Sequence, residues 1–578
     1  MAFAITEESS VQLSNLQPLW HRSAPRRLVE KCPADEPLRG WTAWKKHLAR
    51  RKSPRVPPLV PEVNFDELIV SGQAVLPATR PLDLPEAMQM VALAYALPKL
   101  SGELSGELWW QLVERLHHLA TAAQVERIQW PGDPRVILRA QLLAGELPLA
   151  LSYMLPEVRA LRELRKSARD MLSESLLELT DGCGLPHARL LPVLEPLFAC
   201  WTRARWLGAR MKGGSWSGDA EVQYVWLVQH ALRLVDADGR FMLVSRDSAP
   251  AKQLPKDLFR TAIELVGDNK HCAAAAAALP SRLLPRGIRL DDSDLPAPSL
   301  ESDWSGIAVL ADGLSRSDTR LALAFADDPV RIELAVGRDK LLFGDLNCET
   351  NYDGQTAHIV GEWEELTWET DKRFDYIELG IDLSDGLRIE RQLLLARDDR
   401  VLFFADTIRS AAETPRQLRH TIRLPLAPGV AWQPEKETRD GVLAAGKRRA
   451  AILPLALHEW RLDPRGGNLN AEDEQLLLTQ ETTGRALYCP LLLDLKPRRS
   501  KAERTWRQLT VAESLEIVPH DVAVGFRAQS GRDQWIFYRS LGPAGNRTLL
   551  GYNIAGEFAA GRFLSTGKVK EWLEIEAC

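Results

Sequence analysis

A short polar turn between two apolar helical runs is the first stretch of this sequence that could do chemistry. Residues 176–207 read LLELTDGCGLPHARLLPVLEPLFACWTRARWL, and the turn covers Asp181–Arg189. Two glycines and a proline end one helix there and let the next begin. The turn presents Asp181, His187 and Arg189, which are a carboxylate, a group that titrates near neutral pH and a fixed cation. Such a turn is typical either of a binding site on a rigid scaffold or of a helix hairpin with a solvated tip.

A second grouping of polar side chains lies much further along the chain, in the stretch NYDGQTAHIVGEWEELTWE. It holds Asn351, Tyr352, His358 and Trp363, which bring an amide, a phenol, an imidazole and an indole close together in sequence. Tyrosine and histidine are side chains that can take a proton from a substrate or give one to it. The alternative interpretation is the start of a strand with one exposed histidine.

A glycine-rich loop, Lys212–Asp219, and the helix after it supply a third set of polar residues. The loop lacks the spacing of a phosphate-binding motif, so we interpret it as a flexible connection that offers Trp216 to a sugar. Gln223 and Tyr224 follow on the helix, where an ordinary amphipathic pattern would place them equally well.

The composition is that of a soluble globular protein. The chain has 578 residues, a net charge of −5 and 45% hydrophobic residues, which favours two or more domains and gives no support to a nucleic-acid or membrane partner. The seven cysteines are scattered without a C-x-x-C pair, so we expect reduced thiols, no metal site and no cofactor. The N-terminal stretch shows no secretory signal, and the expected location is therefore cytoplasmic by default. The oligomeric state is not indicated.

The hydrophobic pattern changes near residue 290 and predicts two large domains. We interpret residues 1–60 as an irregular N-terminal segment and linker, and residues 61–289 as an all-α domain, because apolar residues recur there at helical steps between Gly/Pro turns. Residues 290–304 are acidic and proline-containing, as in a linker. Residues 305–578 contain many short segments rich in Val, Ile, Leu and Phe, which predicts an antiparallel β-sheet domain.

Four stretches carry a resemblance to known proteins. Gly145–Arg189 places a helix before an Asp-Gly turn with polar residues, and Asp303–Gly313 looks like the first strand of a β domain. Arg331–Asp345 looks like paired strands, and Leu387–Ile408 like a hairpin with an arginine on one strand and an aspartate on the other. In this order, over roughly residues 80–540, they resemble the heparinase II/III-like family of polysaccharide lyases.

The resemblance implies an α+β multidomain fold, with an N-terminal incomplete (α/α) toroid, a C-terminal antiparallel β-sandwich and a substrate cleft between them. Family enzymes cleave uronic-acid polysaccharides, glycosaminoglycans among them, by β-elimination, and they are usually exported. The reaction needs a group that neutralises the uronate carboxylate, a base that removes the adjacent proton and an acid for the leaving oxygen. The implied partner is an acidic polysaccharide or oligosaccharide.

The chain departs from the family's pattern in three places. It has no asparagine between Asn64 and Asn269, where the family commonly has a carboxylate-neutralising amide. The run after the polar turn, Leu190–Phe198, has no tyrosine, and the tight turn Gly337–Lys340 has no histidine. Gln223 or Gln229 could substitute for the missing amide, on a longer side chain.

Two hypotheses of different classes follow. The first is a lyase-type enzyme, with Arg189 opposing the carboxylate and a tyrosine or histidine as base; its catalytic residues would be His187, Arg189, Tyr224, Tyr352 and His358. Its substrate-binding residues would be Asp181, Trp216, Gln223, Asn351 and Trp363. The second is a non-catalytic relative that binds a glycan or a partner protein in the same cleft. The missing residues favour the second hypothesis, and the polar turn and the tryptophans fit both.

Overall fold

Helices occupy the first half of the chain and strands the second half, as predicted. The computed structural model describes residues 16–17, 19–32, 38–50, 55–60, 82–124, 130–244, 257–267, 269–286, 295–446, 448–462, 466–543 and 545–576. Parts of the expected N-terminal segment, the start of the expected all-α domain (residues 61–81) and part of the expected linker (residues 290–294) lie outside the described residues. No helix in the described part of the chain is long and apolar enough to cross a membrane.

The described helices pack around one apolar core. In chain order they are α1 (Arg26–Lys31), α2 (Trp41–Arg50), α3 (Leu84–Leu100), α4 (Gly106–Ala123), α5 (Pro134–Ala140), α6 (Leu147–Met154), α7 (Arg159–Glu178), α8 (Leu194–Gly208), α9 (Gly218–Arg233), α10 (Leu258–Val266) and α11 (Asn269–Ala278). A π-helical turn, Gln141–Glu146, joins α5 to α6, and a 3₁₀ helix, Ala188–Val193, leads into α8. Aspartate or serine caps start several of them, as at α3, where Asp83 and Glu86 form a capping box.

The N-terminal segment contributes to this core and is not merely a linker. Trp44 of α2 is fully buried and stacks against Trp110 of α4 with ring centroids 6.0 Å apart. Leu28 of α1 and Leu48 of α2 are also buried in the helical core. The apolar residues of a segment with little sequence periodicity are therefore used for packing, which single helical turns can do without a long repeat.

The strands in the described part of the chain form four antiparallel sheets. They are β1 (Leu300–Ser302), β2 (Ile307–Ala311), β3 (Thr319–Ala324), β4 (Val330–Val336), β5 (Asp339–Tyr352), β6 (Gln355–Thr356), β7 (Glu364–Thr370), β8 (Phe374–Asp382), β9 (Leu387–Ala396), β10 (Val401–Ser410), β11 (Arg416–Pro425), β12 (Ala431–Pro434), β13 (Gly441–Ala445), β14 (Arg448–Pro454), β15 (Gly467–Glu472), β16 (Gln475–Gly484), β17 (Ala486–Asp494), β18 (Arg504–Leu509), β19 (Val511–Glu513), β20 (Glu516–Ile517), β21 (Ala523–Ser530), β22 (Asp533–Ser540), β23 (Arg547–Leu549), β24 (Tyr552–Ile554), β25 (Phe558–Phe563) and β26 (Val569–Ile575).

Two large sheets make the sandwich. A nine-stranded sheet runs β1-β2-β3-β4-β5-β11-β16-β15, with β6 paired to β5, and an eight-stranded sheet runs β12-β13-β14-β17-β10-β9-β8-β7. Their facing side chains form one apolar core, as the alternating pattern predicts. A five-stranded sheet, β18-β21-β22-β25-β26, covers the outer face of the eight-stranded sheet, where Phe403 stacks on Phe537 at 4.3 Å. A small four-stranded sheet, β20-β19-β23-β24, lies beside it.

The helical part rests on the outer face of the nine-stranded sheet. In β2, Ile307 and Val309 face the helical core, while Ala308 and Leu310 face the sandwich core, because successive side chains of a strand point to opposite sides. The predicted linker, residues 290–304, accordingly ends inside the sheet, since β1 begins at Leu300. The described helices cover the β1–β4 end of this face, and among the described elements the end formed by β5, β11, β16 and β15 stays open.

Candidate functional site

The predicted polar turn lies where the helical part meets the nine-stranded sheet. Asp181 shapes the turn itself, since its Oδ1 accepts the backbone N–H groups of Cys183 and Leu185, both at 2.8 Å. The backbone N–H of Ala188 donates to the carbonyl of Ser305 at 2.7 Å, which ties the turn to the β1–β2 connection. The turn is therefore built by Asp181 and held against the sheet, with Cys183 exposed at its tip and His187 and Arg189 partly exposed.

His187 is held in one protonation state by its surroundings. It caps the 3₁₀ helix that follows, and its Nδ1 accepts the backbone N–H of Arg189 at 3.2 Å. Burial lowers the pKa of His187, and the charge of Arg189 lowers it further, so the ring is mostly neutral at pH 7. A neutral ring whose Nδ1 accepts a hydrogen bond carries its proton on Nε2. The free edge of His187 is therefore a hydrogen-bond donor.

Two tryptophans flank this ring from different parts of the chain. Trp130, between α4 and α5, and Trp304, between β1 and β2, both meet His187 edge-to-face, with centroids 5.0 and 5.3 Å away. The two indoles lie 6.4 Å apart, and Trp304 is 45% exposed. Aromatic faces beside a polar donor are suited to a sugar ring, which has both apolar C–H faces and hydroxyls.

Arg189 bridges the helical part and the sheet domain. Its Nε and Nη2 donate to Oδ1 of Asp327, in the β3–β4 turn, at 3.0 and 2.8 Å. This hydrogen bonding and the negative charge of Asp327 raise the pKa of Arg189. The neighbouring Asp328 accepts the indole N–H of Trp363 at 3.0 Å. Arg189, predicted from the sequence to bind a substrate carboxylate, is thus already paired with a carboxylate of the protein itself.

A cleft beside Arg189 continues onto the open end of the sheet. The cleft, a cavity of about 410 Å³, is lined by Arg189, Asp327, Arg331 and Asp345 among others. A further cavity of about 310 Å³ shares Arg331 and Asp345 with it, and a groove of about 810 Å³ follows over β5, β11, β15 and β16. The alternate residues Asp345, Asn347, Glu349 and Asn351 of β5 run along all three, over about 20 Å. We call this continuous depression the trough.

Carboxylates pair with most of the basic side chains of the trough. Arg331 lies 3.2 Å from Asp345, and Arg423 lies 3.3 Å from Glu349. The side-chain amide of Asn351 donates to Glu349 at 3.1 Å, and this hydrogen bond, with that of Arg423, lowers the pKa of Glu349. Asn351, predicted to bind substrate, therefore lines the trough. Paired charges and amides offer donors and acceptors for hydroxyl groups without a strong net potential.

The three residues predicted around α9 do not face the cleft. Tyr224 is fully buried, its hydroxyl lies 3.1 Å from Oγ1 of Thr202, and burial raises its pKa. Trp216 is buried too, and its indole N–H donates to Glu221 at 2.7 Å. Gln223 donates to the carbonyl of Gly182 at 3.1 Å and so supports the polar turn from behind. These side chains hold α9 and its loop in place.

Tyr352 and His358 form a separate cluster around Asp385. The hydroxyl of Tyr352 donates to Asp385 at 2.6 Å, and this hydrogen bond raises the pKa of Tyr352. The backbone N–H of exposed His358 donates to Ser384 at 3.2 Å. Within the described ranges, no hydrogen bond, ion pair or ring contact joins this cluster to His187. Trp363 does adjoin the cleft, but it is buried under Asp328 and presents no face to a ligand.

One buried cluster has the side chains of a metal site. Cys348, Asp406 and His420 bring their ligand atoms within 4.8 Å of one another, and among the described residues this is the one such group. Arg391, however, donates from Nε and Nη2 to both oxygens of Asp406 at 2.8 Å, and Nε2 of His420 lies 3.0 Å from the same carboxylate. A divalent ion would meet the fixed charge of Arg391. The donor set is that of a buried ion pair and does not fit a metal.

This ionic cluster lies directly beneath the cleft. The guanidinium of Arg391 is 4.8 Å from the ring of Trp363, which in turn donates to Asp328. Burial alone would raise the pKa of Asp406, but the charge and hydrogen bonds of Arg391 outweigh burial and hold that pKa well below its usual range. The sequence resemblance indicated an arginine and an aspartate on this predicted hairpin without pairing them, whereas Arg391 and Asp406 face each other across the β9–β10 hairpin. Arg391 and Asp406 are equally far in sequence from the turn of the hairpin, Arg397–Arg400. Because residues equally far from a hairpin turn are cross-strand neighbours, this spacing could have predicted the pair.

Comparison with known proteins places this architecture. The sequence matches no protein-family model and no curated protein. The structure is similar to that of the heparan sulfate lyase HepC from Pedobacter heparinus, with a TM-score of 0.56 at 12% identity, over 89% of this chain and 80% of that one. A heparinase III matches with a TM-score of 0.61 at 8% identity, over 91% of this chain and 99% of that one. The chain has a heparinase-like lyase fold.

A second heparinase III structure agrees, with a TM-score of 0.53 at 10% identity over 91% of this chain and 99% of that one. The predicted order of an α/α toroid and an antiparallel β-sandwich is thereby confirmed. At these identities the likeness extends to the heparinase-like fold and not to individual side chains. The function of the cleft depends on the side chains that this chain places there.

Proposed function

We propose that this protein binds a polysaccharide chain in the cleft and trough, and does not cleave it by β-elimination. The observation that carries the proposal is the hydrogen bond from the backbone N–H of Arg189 to Nδ1 of His187. It leaves His187 with a donor, Nε2–H, as the remaining polar group of the ring. A donor can bind a sugar hydroxyl or carboxylate, but it cannot accept the proton that β-elimination removes.

The other bases nominated from the sequence support the same proposal. The hydroxyl of Tyr224 is buried in the helical core, and Tyr352 is committed to Asp385. His358 belongs to the Tyr352 cluster at the far side of the trough. A group that abstracts a proton must lie within hydrogen-bond reach of its target or act through one water. Tyr224, Tyr352 and His358 instead contact other parts of the protein.

The cleft nevertheless suits a sugar. Trp304 presents an exposed indole, His187 adds a donor beside it, and the paired Arg189 and Asp327 provide a donor and an acceptor. A uronate carboxylate would have to displace Asp327 to reach Arg189. An acidic sugar must therefore break this ion pair in order to bind there, whereas a neutral sugar need not. The trough then offers amides and paired charges over the length of several sugar units.

Calorimetric titration with alginate, heparan sulfate and dextran tests the binding. Trp304→Ala should weaken binding about fivefold or more, because it removes the exposed aromatic face. Trp460→Ala is the matched control, since Trp460 is 54% exposed but does not line the trough, and it should change nothing. Binding that is unaffected by Trp304→Ala, or that is absent for all three polymers, would contradict a glycan-binding cleft.

The competing function is cleavage, and the side-by-side placement of His187 and Arg189 is the observation that favours it. β-Elimination leaves a double bond conjugated to the uronate carboxylate, so its product absorbs in the ultraviolet. We expect no rise in absorbance when the protein is incubated with alginate or heparan sulfate. A rise that His187→Asn abolishes and Tyr224→Phe leaves intact would establish His187 as a base and overturn the non-cleaving proposal.

A further inference from the structure

An arginine row runs along one face of α7, away from the cleft. Arg162, Arg165 and Arg169 are spaced by three and four residues, which places them on one side of the helix, about 4.5 and 6 Å apart along its axis. Arg169 precedes Asp181 by twelve residues, so nearly half of α7 separates the row from the polar turn. The row and the cleft are therefore distinct surfaces.

None of the three arginines has a carboxylate partner among the residues that the structure describes. Arg162 donates to Oγ of Ser23 at 2.6 Å and lies 3.2 Å from Nδ1 of His21. Arg165 donates to the backbone carbonyl of Lys212, and Arg169 to that of Trp216 at 3.2 Å. Arg159, one turn earlier on the same helix, shows the usual alternative, an ion pair with Glu163 at 2.8 Å. The row is thus a line of positive charge on a protein whose net charge is −5.

The charges are also fixed in position. The contacts of Arg165 and Arg169 hold the loop that follows α8, and Arg162 is held by the segment before α1. All three side chains are half-buried, and burial together with the charges of Arg169 and Arg162 lowers the pKa of Arg165. The repulsion between these neighbouring guanidinium groups destabilises the folded protein, and a bound anion would reduce that repulsion. Lys166, Lys212 and Arg22 add exposed positive charge around the row.

We propose that the arginine row binds a sulfated or carboxylated polysaccharide. Guanidinium groups bind sulfate and carboxylate groups through paired N–H donors, and a row one charge wide matches a linear polyanion that carries about one charge per sugar ring. A nucleic-acid-binding protein combines such a basic stripe with an overall basic charge, whereas the net charge here is −5, and a membrane surface needs apolar side chains beside the charges. The proposal goes beyond the cleft and does not depend on it.

The test measures binding of fluorescent heparin oligosaccharides and polygalacturonate to the full chain by anisotropy. The triple variant R162Q/R165Q/R169Q should bind both probes roughly tenfold to thirtyfold more weakly, as expected for the loss of three charge contacts, and its binding should depend less on salt. The charge-preserving variant R162K/R165K/R169K should retain most of the affinity. The matched control K99Q/R338Q/R373Q removes the same charge from residues that already face carboxylates and should change affinity less than about twofold.

Additional variants and probes distinguish binding by the row from binding in the cleft and from an effect of net charge. In the Trp304→Ala background, where binding in the cleft is already weakened, the triple variant should still lower the affinity for these charged probes roughly tenfold to thirtyfold; loss through Trp304→Ala with none through the triple variant would place the probes in the cleft and overturn the inference. Equal losses in the triple variant and its control would reduce the effect to net charge and overturn it too. Tighter, row-dependent binding of duplex DNA or phosphatidylglycerol vesicles would overturn the ligand class. If thermal unfolding shows that the triple variant is misfolded, the variant R162Q/K166Q/K212Q is used instead, because it keeps the contacts of Arg165 and Arg169 with the loop after α8. It should also weaken binding of both probes, and unchanged binding would overturn the inference.

Discussion

The backbone N–H of Arg189 donates to Nδ1 of His187 at 3.2 Å, so one ring nitrogen caps a helix while the other carries the ring proton. Protonation of His187 would turn this acceptor into a donor and break the cap. The charge state of one side chain therefore controls both the local fold of the turn and the hydrogen bond offered to a ligand.

The free energy of unfolding should fall when the pH drops below about 6.5, the ordinary pKa of histidine. Burial, and then Arg189, lower the pKa of His187 in the folded state, so protons bind the unfolded chain more tightly within that window. The stabilisation is complete above about 6.5 and is lost as the pH falls towards the folded pKa. Urea unfolding from pH 8 to pH 5 measures this. His187→Asn, which keeps a capping side chain, should remove this component of the pH dependence, and His187→Ala should cost about 1 kcal/mol at pH 8 and less at pH 5, where protonation already breaks the cap. An unchanged pH dependence in His187→Asn would show that another group titrates.

Asp327→Asn should strengthen binding of uronate polymers. The substitution takes the carboxylate from Arg189, to which it lies 2.8 Å away, and leaves the cation free for the ligand. We expect up to about fivefold tighter binding of alginate in calorimetric titration and a change in stability below about 1 kcal/mol, because Asp327 is 58% exposed. Asp371→Asn releases Arg373 in the same way outside the trough and should leave affinity unchanged. Weaker binding in Asp327→Asn would mean that Asp327 itself contacts the ligand.

Arg391→Met should destabilise the protein by about 3–5 kcal/mol, because it leaves the buried charge of Asp406 without its main partner. The double variant R391M/D406L removes both charges and should recover part of this loss. Arg26→Met breaks the exposed pair with Glu30 and should cost less than about 1 kcal/mol. Guanidinium chloride unfolding distinguishes these outcomes; equal small losses for Arg391→Met and Arg26→Met would refute the role given to the buried pair.

Glu195→Gln should stabilise the protein at alkaline pH. Burial at the start of α8 raises the pKa of Glu195 to about 7, so the folded chain keeps a proton that the unfolded chain releases near pH 4.5. Stability from this group is present below about pH 4.5 and is lost as the pH rises through 7. The variant should match the natural protein at pH 4.5 and exceed it at pH 8 in thermal unfolding. Glu163→Gln, at an exposed ion pair with Arg159, should show no such crossover.

The polar turn illustrates what could be predicted from the sequence. Its glycines and proline indicated a break between helices, and α7 does end at Glu178 before the 3₁₀ helix begins at Ala188. The side chains that contact it, Trp304 at His187 and Asp327 at Arg189, come from strand connections more than a hundred residues away. Such pairings depend on how the domains pack, which local periodicity does not encode.

Tyr224 shows a case in which the sequence held more information than was used. Ala220, Leu227 and Ala231 are buried on the same face of α9, and their helical spacing to Tyr224 places the phenol on the apolar side of the helix. Its chemical type suggested a base, while its position in the pattern indicated core. In the folded protein the hydroxyl of Tyr224 hydrogen-bonds to the buried Oγ1 of Thr202, because buried phenols generally need a hydrogen-bond partner.

Strand β2 belongs to two cores at once, with Ile307 and Val309 on one and Ala308 and Leu310 on the other. Loss of this strand would expose apolar surface of both the helices and the sandwich. The two halves of the chain are consequently coupled in unfolding, and the toroid should behave as part of one cooperative transition rather than as a module that melts alone. The cleft that carries His187 then persists as long as the sandwich does.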